Sequence, residues 1–250
     1  VILGTSEGER EFLGRNLLKS LIDSRLVMGD LHLYFNADHT KSLEKIKEAV
    51  EAGCDTVIFD GSELPLEENI RRTKEVADFI RSYNSSHLAI QPSSQSILVE
   101  GELGYIGSGS QLRDAAPEGI QLTSVEDAVR FVKETGVDLL APAVGNVHGI
   151  IRSGEPRLDI ERIKAIKNAV KIPLVLHGAS GNSDEDIRAA IQAGISVIHI
   201  NTEIRLAWRK ALEESLQKNL EELAPYKILA GAKAAAKEIV LGKLKLFNSL

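Results

Sequence analysis

Short apolar runs alternate along the chain with longer segments whose apolar residues recur at helical spacing. The runs predict strands at residues 1–3, 31–37, 56–59, 97–103, 139–144, 173–176 and 196–200. Continuous apolar strands separated by helices are typical of a parallel sheet that helices cover on both faces. About seven such strands predict a TIM-type α/β barrel, with a doubly wound open sheet as the alternative.

The segments between these strands carry helix-boundary signals. One amphipathic segment is followed by Gly53, which predicts that a helix ends there. Ser124 and Ser183 are each followed three residues later by an Asp, which resembles a capping box and predicts that a helix begins there. The polar stretch at residues 85–96 is predicted as a loop. No stretch has the composition of a linker, so we predict a single domain over residues 1–250.

Composition and charge narrow the range of functions. The chain has 36 acidic and 30 basic residues, a formal net charge of −6 and no basic run, so we expect no nucleic-acid partner. It has no apolar run of about 18 residues, so we expect no membrane span and no membrane partner. The single Cys54 excludes a disulfide framework within the chain and is typical of a reducing compartment, which predicts a cytoplasmic location.

Ionisable and polar residues lie at or just after the carboxyl ends of the predicted strands. They are Asp38, His39, Glu102, His148, His177 and Asn201. Because the carboxyl ends of barrel strands meet at one face, where active sites lie, we expect three imidazoles and at least one carboxylate to converge there. Such a donor set suits Zn²⁺ or a similar divalent cation, with one coordination position left for a substrate.

Several of these residues also have a structural explanation. A single histidine at a strand end more often caps or packs than binds a metal, and Asp38 beside His39 is also a candidate helix cap. Asp60, after the third predicted strand, is equally consistent with a helix cap and with a site residue. We expect His32 to be structural within its strand and His87 to be solvated in a polar loop.

A glycine-rich segment, His-Gly-Ala-Ser-Gly at residues 177–181, lies between a predicted strand and a predicted helix. Its backbone amides and the Ser180 hydroxyl have the chemistry to cradle a phosphate group. Asn201 and Thr202 follow the next strand, and the loops after the last two strands of a barrel are its usual phosphate site. The sequence therefore predicts a phosphate site beside a metal ligand.

Five segments together resemble the class II, metal-dependent fructose-bisphosphate aldolase family, which includes tagatose-bisphosphate aldolases. In family order they are Asn-Ala-Asp-His at residues 36–39, Glu-Gly-Glu-Leu-Gly at 100–104, Gly-Asn-Val-His-Gly at 145–149, His-Gly-Ala-Ser-Gly at 177–181 and Asn-Thr-Glu at 201–203. The third and fourth segments together are quite specific. The resemblance implies a metal-dependent aldolase that reversibly cleaves a ketose 1,6-bisphosphate to dihydroxyacetone phosphate and glyceraldehyde 3-phosphate.

The resemblance also implies roles for individual residues. The metal ligands would be His39, Glu102, His148 and His177. Asp38 would be the acid and base that acts on the C4 hydroxyl. The phosphate arm of the ketose would bind to Ser6, Gly149, Gly178, Ser180, Asn201 and Thr202. A monovalent cation and assembly into a homodimer or homotetramer are further expectations.

The chain departs from the family pattern in several places. The β/α unit that precedes residues 1–6 in the family is absent, so we expect a (β/α)8 barrel truncated at its N-terminus. Ser110 stands where the family has an acidic residue in a mobile loop, and we expect Glu118, or else Asp114, to protonate the enediolate. His199 stands where the family has Asn, which predicts altered contacts with the substrate hydroxyls.

The leading hypothesis is therefore an aldolase that uses Zn²⁺ or another divalent metal to act on fructose 1,6-bisphosphate. Three alternatives stay open: a tagatose-bisphosphate aldolase, a metal- or phosphate-binding barrel protein without turnover, and a metal-dependent hydrolase. A Schiff-base aldolase is disfavoured, because it needs a lysine at the carboxyl end of a strand and Lys171 precedes its predicted strand.

Overall fold

The structure, a computed structural model, describes residues 1–24, 33–90, 95–152 and 158–247. Within these residues the strands are β1 (Ile2–Ser6), β2 (Tyr34–Thr40), β3 (Thr56–Phe59), β4 (Leu98–Leu103), β5 (Leu112–Arg113), β6 (Leu139–Pro142), β7 (Ile150–Ile151), β8 (Leu174–Leu176) and β9 (Ile195–Ile198). The helices are α1 (Glu7–Leu13), α2 (Arg15–Ser24), α3 (Leu43–Ala52), α4 (Leu66–Ile90), α5 (Val125–Thr135), α6 (Ile160–Val170), α7 (Asp184–Ala193), α8 (Thr202–Lys218), α9 (Pro225–Ile228) and α10 (Ala230–Phe247). The alternation confirms the predicted α/β class.

The chain forms two compact units, each assembled from several segments. The first unit comprises Val1–Gly104, Thr123–Pro142 and Asn168–Leu174. The second unit comprises Tyr105–Leu122, Ala143–Lys167 and Val175–Leu250. Because both units are discontinuous in sequence, no linker marks their boundary, and the single domain stays a prediction.

The first unit is built on parallel strands in the order β1, β2, β3, β4 and β6. Leu174, the first residue of β8, belongs to this unit and pairs in parallel with Leu140 of β6. Because neighbouring parallel strands run in the same direction, Ser6, Asp38 and Glu102 lie at the carboxyl ends of their strands on one edge of the sheet.

The core of the first unit fixes the strand that carries Glu102. Ile46 of α3, Ile80 of α4 and Phe131 of α5 are almost completely buried. A Cβ added to Gly101 of β4 would overlap the Phe131 ring, so this position needs the close approach that glycine allows. Glu102 is therefore presented from a tightly packed strand.

The predicted helix boundaries are confirmed at three places. The Ser124 side chain accepts a hydrogen bond from the Asp127 backbone at the start of α5, and Ser183 does the same with Asp186 at the start of α7. Gly53 ends α3 in the left-handed conformation with φ of 97°. Caps of this kind satisfy backbone groups that have no partner within the helix.

The long helix α4 extends beyond its predicted end, so the loop predicted at residues 85–96 is wrong as far as residue 90. The hydroxyls of Ser85 and Ser86 donate to carbonyl oxygens one turn earlier, at 2.8 Å and 2.6 Å. These bonds satisfy the serine side chains inside the helix. Asn84 also joins the helix to the residue before β4, since its amide bonds both the carbonyl and the N–H of Ile97.

The second unit contains most of β8, together with β9 and the helices that follow. The backbone N–H of His199, just after β9, donates to the Leu176 carbonyl of β8 at 2.9 Å. α10 packs against α8 and α7, and the short strands β5 and β7 pair in parallel. His32 lies outside the described residues. None of the described helices combines the length and the apolar character that crossing a bilayer requires.

Candidate active site

The carboxyl end of β2 contains an irregularity that sets the conformation of His39. Ala37 pairs with Val57 and Thr40 pairs with Phe59, so β2 has one more residue than β3 over this stretch. His39 lies within it at φ of 44°, a left-handed conformation that costs an L-residue about 1–2 kcal/mol. Residues other than glycine that are held in this way cluster at functional sites.

Two acidic side chains hold the His39 imidazole. Its Nδ1 lies 3.0 Å from Oδ2 of Asp60, after β3, and 3.1 Å from Oε1 of Glu102 in β4. The Glu102 side chain is only 4% exposed, so water screens this pair weakly. Burial by itself would lower the pKa of His39, but the charge of Glu102 and the hydrogen bond to Asp60 raise the pKa of His39 to about 12. Without a metal, His39 is therefore an imidazolium at neutral pH.

The two carboxylate oxygens of Asp60 accept hydrogen bonds from different partners. Its Oδ1 accepts hydrogen bonds from the Ser62 backbone at 3.2 Å and from the Ser62 hydroxyl at 2.7 Å. Its Oδ2 accepts from His39. Burial by itself would raise the pKa of Asp60, but the hydrogen bond from His39 holds it well below its usual range. The sequence is equally consistent with a helix cap and with a site residue at Asp60. In the structure, the Asp60 carboxylate accepts hydrogen bonds from the Ser62 turn and also orients His39.

Asp38 precedes His39 and lies opposite Ser6 of β1 in the sheet register. Its Oδ2 is 3.9 Å from Nε2 of His39, and its side chain is largely buried. An ionised carboxylate is a hydrogen-bond acceptor and can serve as a general base. The first unit thus gathers Asp38, His39 and Glu102, as the pattern of strand ends predicts.

The second unit gathers three histidines. The rings of His148 and His177 meet edge to face with centroids 6.0 Å apart, and the His199 ring stacks on that of His177 at 4.2 Å. Asn146 orders the loops that carry them. Its buried amide group donates to the His177 carbonyl at 2.9 Å, and its side-chain oxygen accepts from the Val144 backbone at 2.8 Å.

The donor chemistry of each unit fits a divalent cation. In the first unit, His39 and Glu102 offer one nitrogen and one oxygen within 4.8 Å of each other. In the second unit, His148 and His177 offer two nitrogens within the same distance of each other. Imidazole and carboxylate are the ligands of catalytic zinc and of related transition metals.

Gly149 and Gly178 hold the histidine loops in conformations that glycine adopts without strain. Their φ angles are 100° and 57°. A Cβ at Gly149 would overlap the Gln111 carbonyl oxygen, and a Cβ at Gly178 would overlap the Val147 carbonyl oxygen. Both positions therefore need glycine for the backbone to approach so closely, whatever ligand binds there.

The loop after β8 meets the amino end of α8. The Ser180 hydroxyl oxygen accepts from the backbone N–H groups of Asn201 and Glu203, both at 3.4 Å. The Gly181 N–H donates to Oε1 of Glu203 at 2.9 Å, and Thr202 is the buried first residue of α8. The amino end of a helix carries a partial positive charge and N–H groups without partners inside the helix, which favours a phosphate ligand.

Two further predicted site residues, Ser6 and Glu118, lie at the start of α1 and in the segment between β5 and α5. The Ser6 hydroxyl donates to Oε2 of Glu9 at 2.8 Å and accepts from the Glu9 backbone, so it begins α1 with a capping box. Glu118 is exposed in the segment between β5 and α5. Asp114, its alternative, is also exposed and pairs with Arg152 at 3.3 Å. The reaction roles of these residues stay predictions.

The amino-acid sequence matches one family over its full length. The model of that family, described as fructose-bisphosphate aldolase class-II, matches residues 1–250. A fructose-bisphosphate aldolase from Geobacillus stearothermophilus is 36% identical over 254 residues, which covers 100% of this chain and 83% of the relative. A protein of the same name from Staphylococcus aureus strain Mu50 has the same identity and coverage.

Solved structures resemble the whole chain. The YdjI aldolase from Escherichia coli K12 is 32% identical, with a TM-score of 0.74 over 100% of this chain and 81% of that protein. A candidate fructose-1,6-biphosphate aldolase from Coccidioides immitis is 25% identical, with a TM-score of 0.81 over 100% of this chain and 82% of that protein. These matches confirm the TIM-type α/β fold that the sequence predicts.

Proposed function

Because the chain belongs to the class II fructose-bisphosphate aldolase family and is therefore an aldolase, a carbon–carbon lyase, we propose that its substrate is fructose 1,6-bisphosphate. Cleavage gives dihydroxyacetone phosphate and glyceraldehyde 3-phosphate, and the reaction is reversible. The observation that carries the proposal is the cluster of His39, Asp38 and Glu102 at the carboxyl ends of β2 and β4, the two strands that flank β3. Two further histidines and a phosphate-type loop in the other unit support it.

The divalent cation of this proposal, Zn²⁺ in the first instance, would be held by His39, Glu102, His148 and His177. Their imidazole and carboxylate groups are suited to this metal, and Asp60 supports His39 from the side of Nδ1. When bound, the cation supplies a Lewis acid that polarises the ketose carbonyl and stabilises negative charge next to it. An imidazole has to be neutral to bind a metal, so His39 would have to give up its proton on binding.

Asp38 is the proposed base of the cleavage step. Its carboxylate accepts the proton of the C4 hydroxyl as the C3–C4 bond breaks, and it returns that proton in the condensation direction. Burial of its side chain beside His39 limits competition from water. Glu118 is the proposed donor that protonates C3 of the remaining enediolate, from a segment where its side chain is exposed.

The phosphate arm of the ketose binds, in this proposal, at the amino end of α8. Asn201, Thr202 and Ser180 supply backbone and side-chain groups there, and Gly178 and Gly149 keep the neighbouring loops close. The helix amino end favours the dianion electrostatically. Ser6 contributes its hydroxyl to the same arm by exchange of its bond to the helix-capping Glu9, a role that family resemblance alone supports.

Tagatose 1,6-bisphosphate, which differs at C4, is the second candidate substrate. The reason to test it is His199, whose imidazole stacks on His177 at a position where the family resemblance implies an asparagine. An imidazole presents different hydrogen-bonding groups to a sugar hydroxyl than an amide does. We also propose a cytoplasmic homodimer or homotetramer, on family resemblance and the single cysteine.

The test of the function is a cleavage assay with defined metal content. We expect triose phosphate to form from fructose 1,6-bisphosphate, to stop after chelation and to return with Zn²⁺. Tagatose 1,6-bisphosphate in a parallel assay ranks the two ketoses by kcat/KM. Turnover by protein with no measurable metal, or a substrate adduct trapped by borohydride, would refute the metal-dependent mechanism.

The matched variants separate the proposed ligands from other histidines. His148→Asn and His177→Asn should each lower kcat at least about 100-fold, because loss of a ligand weakens metal binding and leaves the site incomplete. His87→Asn is the control, since His87 stacks on Tyr83 of α4 and has no part in the proposal. Equal activity of all three variants would contradict the ligand assignment.

A further inference from the structure

We propose that Arg10 is a positioning residue that holds Asp38 and His39 in the orientation needed for metal binding and proton transfer. This inference rests on the proposed function, because that function gives Asp38 and His39 their roles. No motif in the sequence marks Arg10, which lies on α1 outside the strand ends that carry the site.

The Arg10 guanidinium links the carboxyl ends of two neighbouring strands. Its Nη1 donates to the carbonyl oxygen of Thr5 in β1 and to that of Asp38 in β2, the latter at 3.2 Å. Its Nη2 donates to the hydroxyl of Thr40 in β2 at 2.7 Å. One planar group thus fixes β2 immediately before and immediately after His39.

The segment between these contacts is the strained part of β2. His39 has a φ of 44°, and the register with β3 shifts between Ala37 and Thr40. A residue in this conformation persists only where its surroundings hold it. The Thr40 carbonyl is itself bonded by the Asp60 backbone at 2.9 Å, so Arg10 and Asp60 hold the irregular segment from two sides.

The chemistry of these contacts favours arginine over lysine. A guanidinium presents several N–H donors in a fixed plane, whereas an ammonium is a point charge on a flexible stem. Burial lowers the pKa of Arg10, and the charges of nearby groups including Glu7 and Asp38 oppose that change. Arginine stays protonated at neutral pH in either case. Lysine should therefore replace the charge but only part of the hydrogen-bonding geometry.

Loss of Arg10 should change the site and not only the stability of the fold. Without its donors, the backbone on both sides of His39 can relax toward a regular strand, which turns the imidazole away from Glu102 and Asp60. Residues that orient a metal ligand typically contribute about 10–100-fold to metal affinity or activity. A residue that only stabilised α1 against the sheet would lower the melting temperature and leave the folded site unchanged.

The experiment compares Arg10→Met and Arg10→Lys with Arg15→Met in the full chain. Arg15 is the matched control, because it forms an exposed ion pair with Glu51 on neighbouring helices of the same unit. For each variant, Zn²⁺ affinity of the metal-free protein, kcat, KM and the melting temperature are measured. We expect Arg10→Met to lose about 10–100-fold in Zn²⁺ affinity and in kcat, with KM changed less than about threefold.

Rescue gives a second, independent readout. Guanidinium at non-denaturing concentration should restore part of the Zn²⁺ affinity and kcat of Arg10→Gly, and Arg10→Lys should fall between wild type and Arg10→Met. In the metal-free protein, the His39 ring signals in nuclear magnetic resonance spectra of histidine-labelled chain should move in Arg10→Met and stay in place in Arg15→Met.

The outcomes separate this inference from the proposed function. Wild-type Zn²⁺ affinity and unmoved His39 signals in folded Arg10→Met would overturn the role of Arg10, even if wild type cleaves the ketose bisphosphate. A wild type that binds Zn²⁺ but cleaves neither ketose would instead refute the proposed function. In that case, loss of Zn²⁺ affinity and displaced His39 signals in Arg10→Met would still support the role of Arg10 toward the metal ligands.

Discussion

At the scale of one residue, the proton on His39 affects both the pH dependence of stability and the binding of Zn²⁺. The pKa of His39 rises from 6.5 to about 12 because Glu102 and Asp60 oppose the effect of burial. A group whose pKa is raised on folding stabilises the fold fully below its unfolded pKa, and that contribution declines as pH rises toward the folded pKa. In the metal-free protein, the contribution of protonated His39 to the free energy of unfolding should therefore decline as pH rises above about 6.5.

Metal binding has to displace the same proton. At about pH 7.5 we expect Zn²⁺ binding to release about one proton from His39, so this residue alone should raise the apparent affinity about tenfold per pH unit. Calorimetry in buffers of different ionisation enthalpy measures the number released. His39→Asn should show neither the high-affinity binding step nor the proton release that accompanies it in wild type. The same proton release from both proteins would contradict the assignment of His39.

The sequence predicts some residues of the site and misses others. Asp38, His39 and Glu102 could be predicted as neighbours because each lies at the end of an apolar run, and parallel strands place those ends on one edge. The orienting contact of Asp60 could not be predicted, because it depends on a strand irregularity that no pattern marks. Arg10 was missed for the same reason, since its partners are mainly backbone carbonyls.

At the scale of the element, an ion pair between Glu203 and Lys243 joins the amino end of α8 to α10. Glu203 accepts the Gly181 N–H with one oxygen, and its other oxygen lies 2.9 Å from Nζ of Lys243 in α10. Their side chains are 17% and 19% exposed, for Lys243 and Glu203 respectively. The ion pair is thus largely shielded and fixes the carboxylate that orders the loop after β8.

Lys243→Met should weaken this arrangement. We expect the free energy of unfolding to fall by about 1–3 kcal/mol, because a largely buried carboxylate loses its partner. Urea denaturation measures the change. Lys218→Met is the control, since Lys218 pairs with Glu214 at an exposed position of α8 and should change stability by less than about 0.5 kcal/mol. Equal losses in both variants would show that burial of the Lys243 pair is without effect.

The helices and strands themselves were largely predictable, for reasons that particular residues make clear. Ser124, Ser183 and Gly53 are signals that act within a few residues of chain, and all three operate as predicted. The loop predicted at residues 85–96 failed because serine hydroxyls can bond inside a helix as well as in a turn. The start of helix α1 is marked by Ser-x-x-Glu at residues 6–9, a capping signal that apolar periodicity does not contain.

At the scale of the whole molecule, alternating strands and helices and the family match agree along the full chain. The α/β class follows from periodicity, because buried parallel strands need continuous apolar runs. The division into two discontinuous units does not follow from it, because that division depends on which segments pack together and no linker marks it.

The most direct test is a zinc titration of metal-free protein in which bound metal and fructose 1,6-bisphosphate cleavage are followed together. We expect no cleavage without metal, activity that rises in proportion to bound Zn²⁺, and saturation at about one ion per chain. His39→Asn and His148→Asn, one from each donor pair, should both abolish the high-affinity step. Full activity of the metal-free protein, or tight binding retained in either variant, would contradict the proposed metal-dependent cleavage.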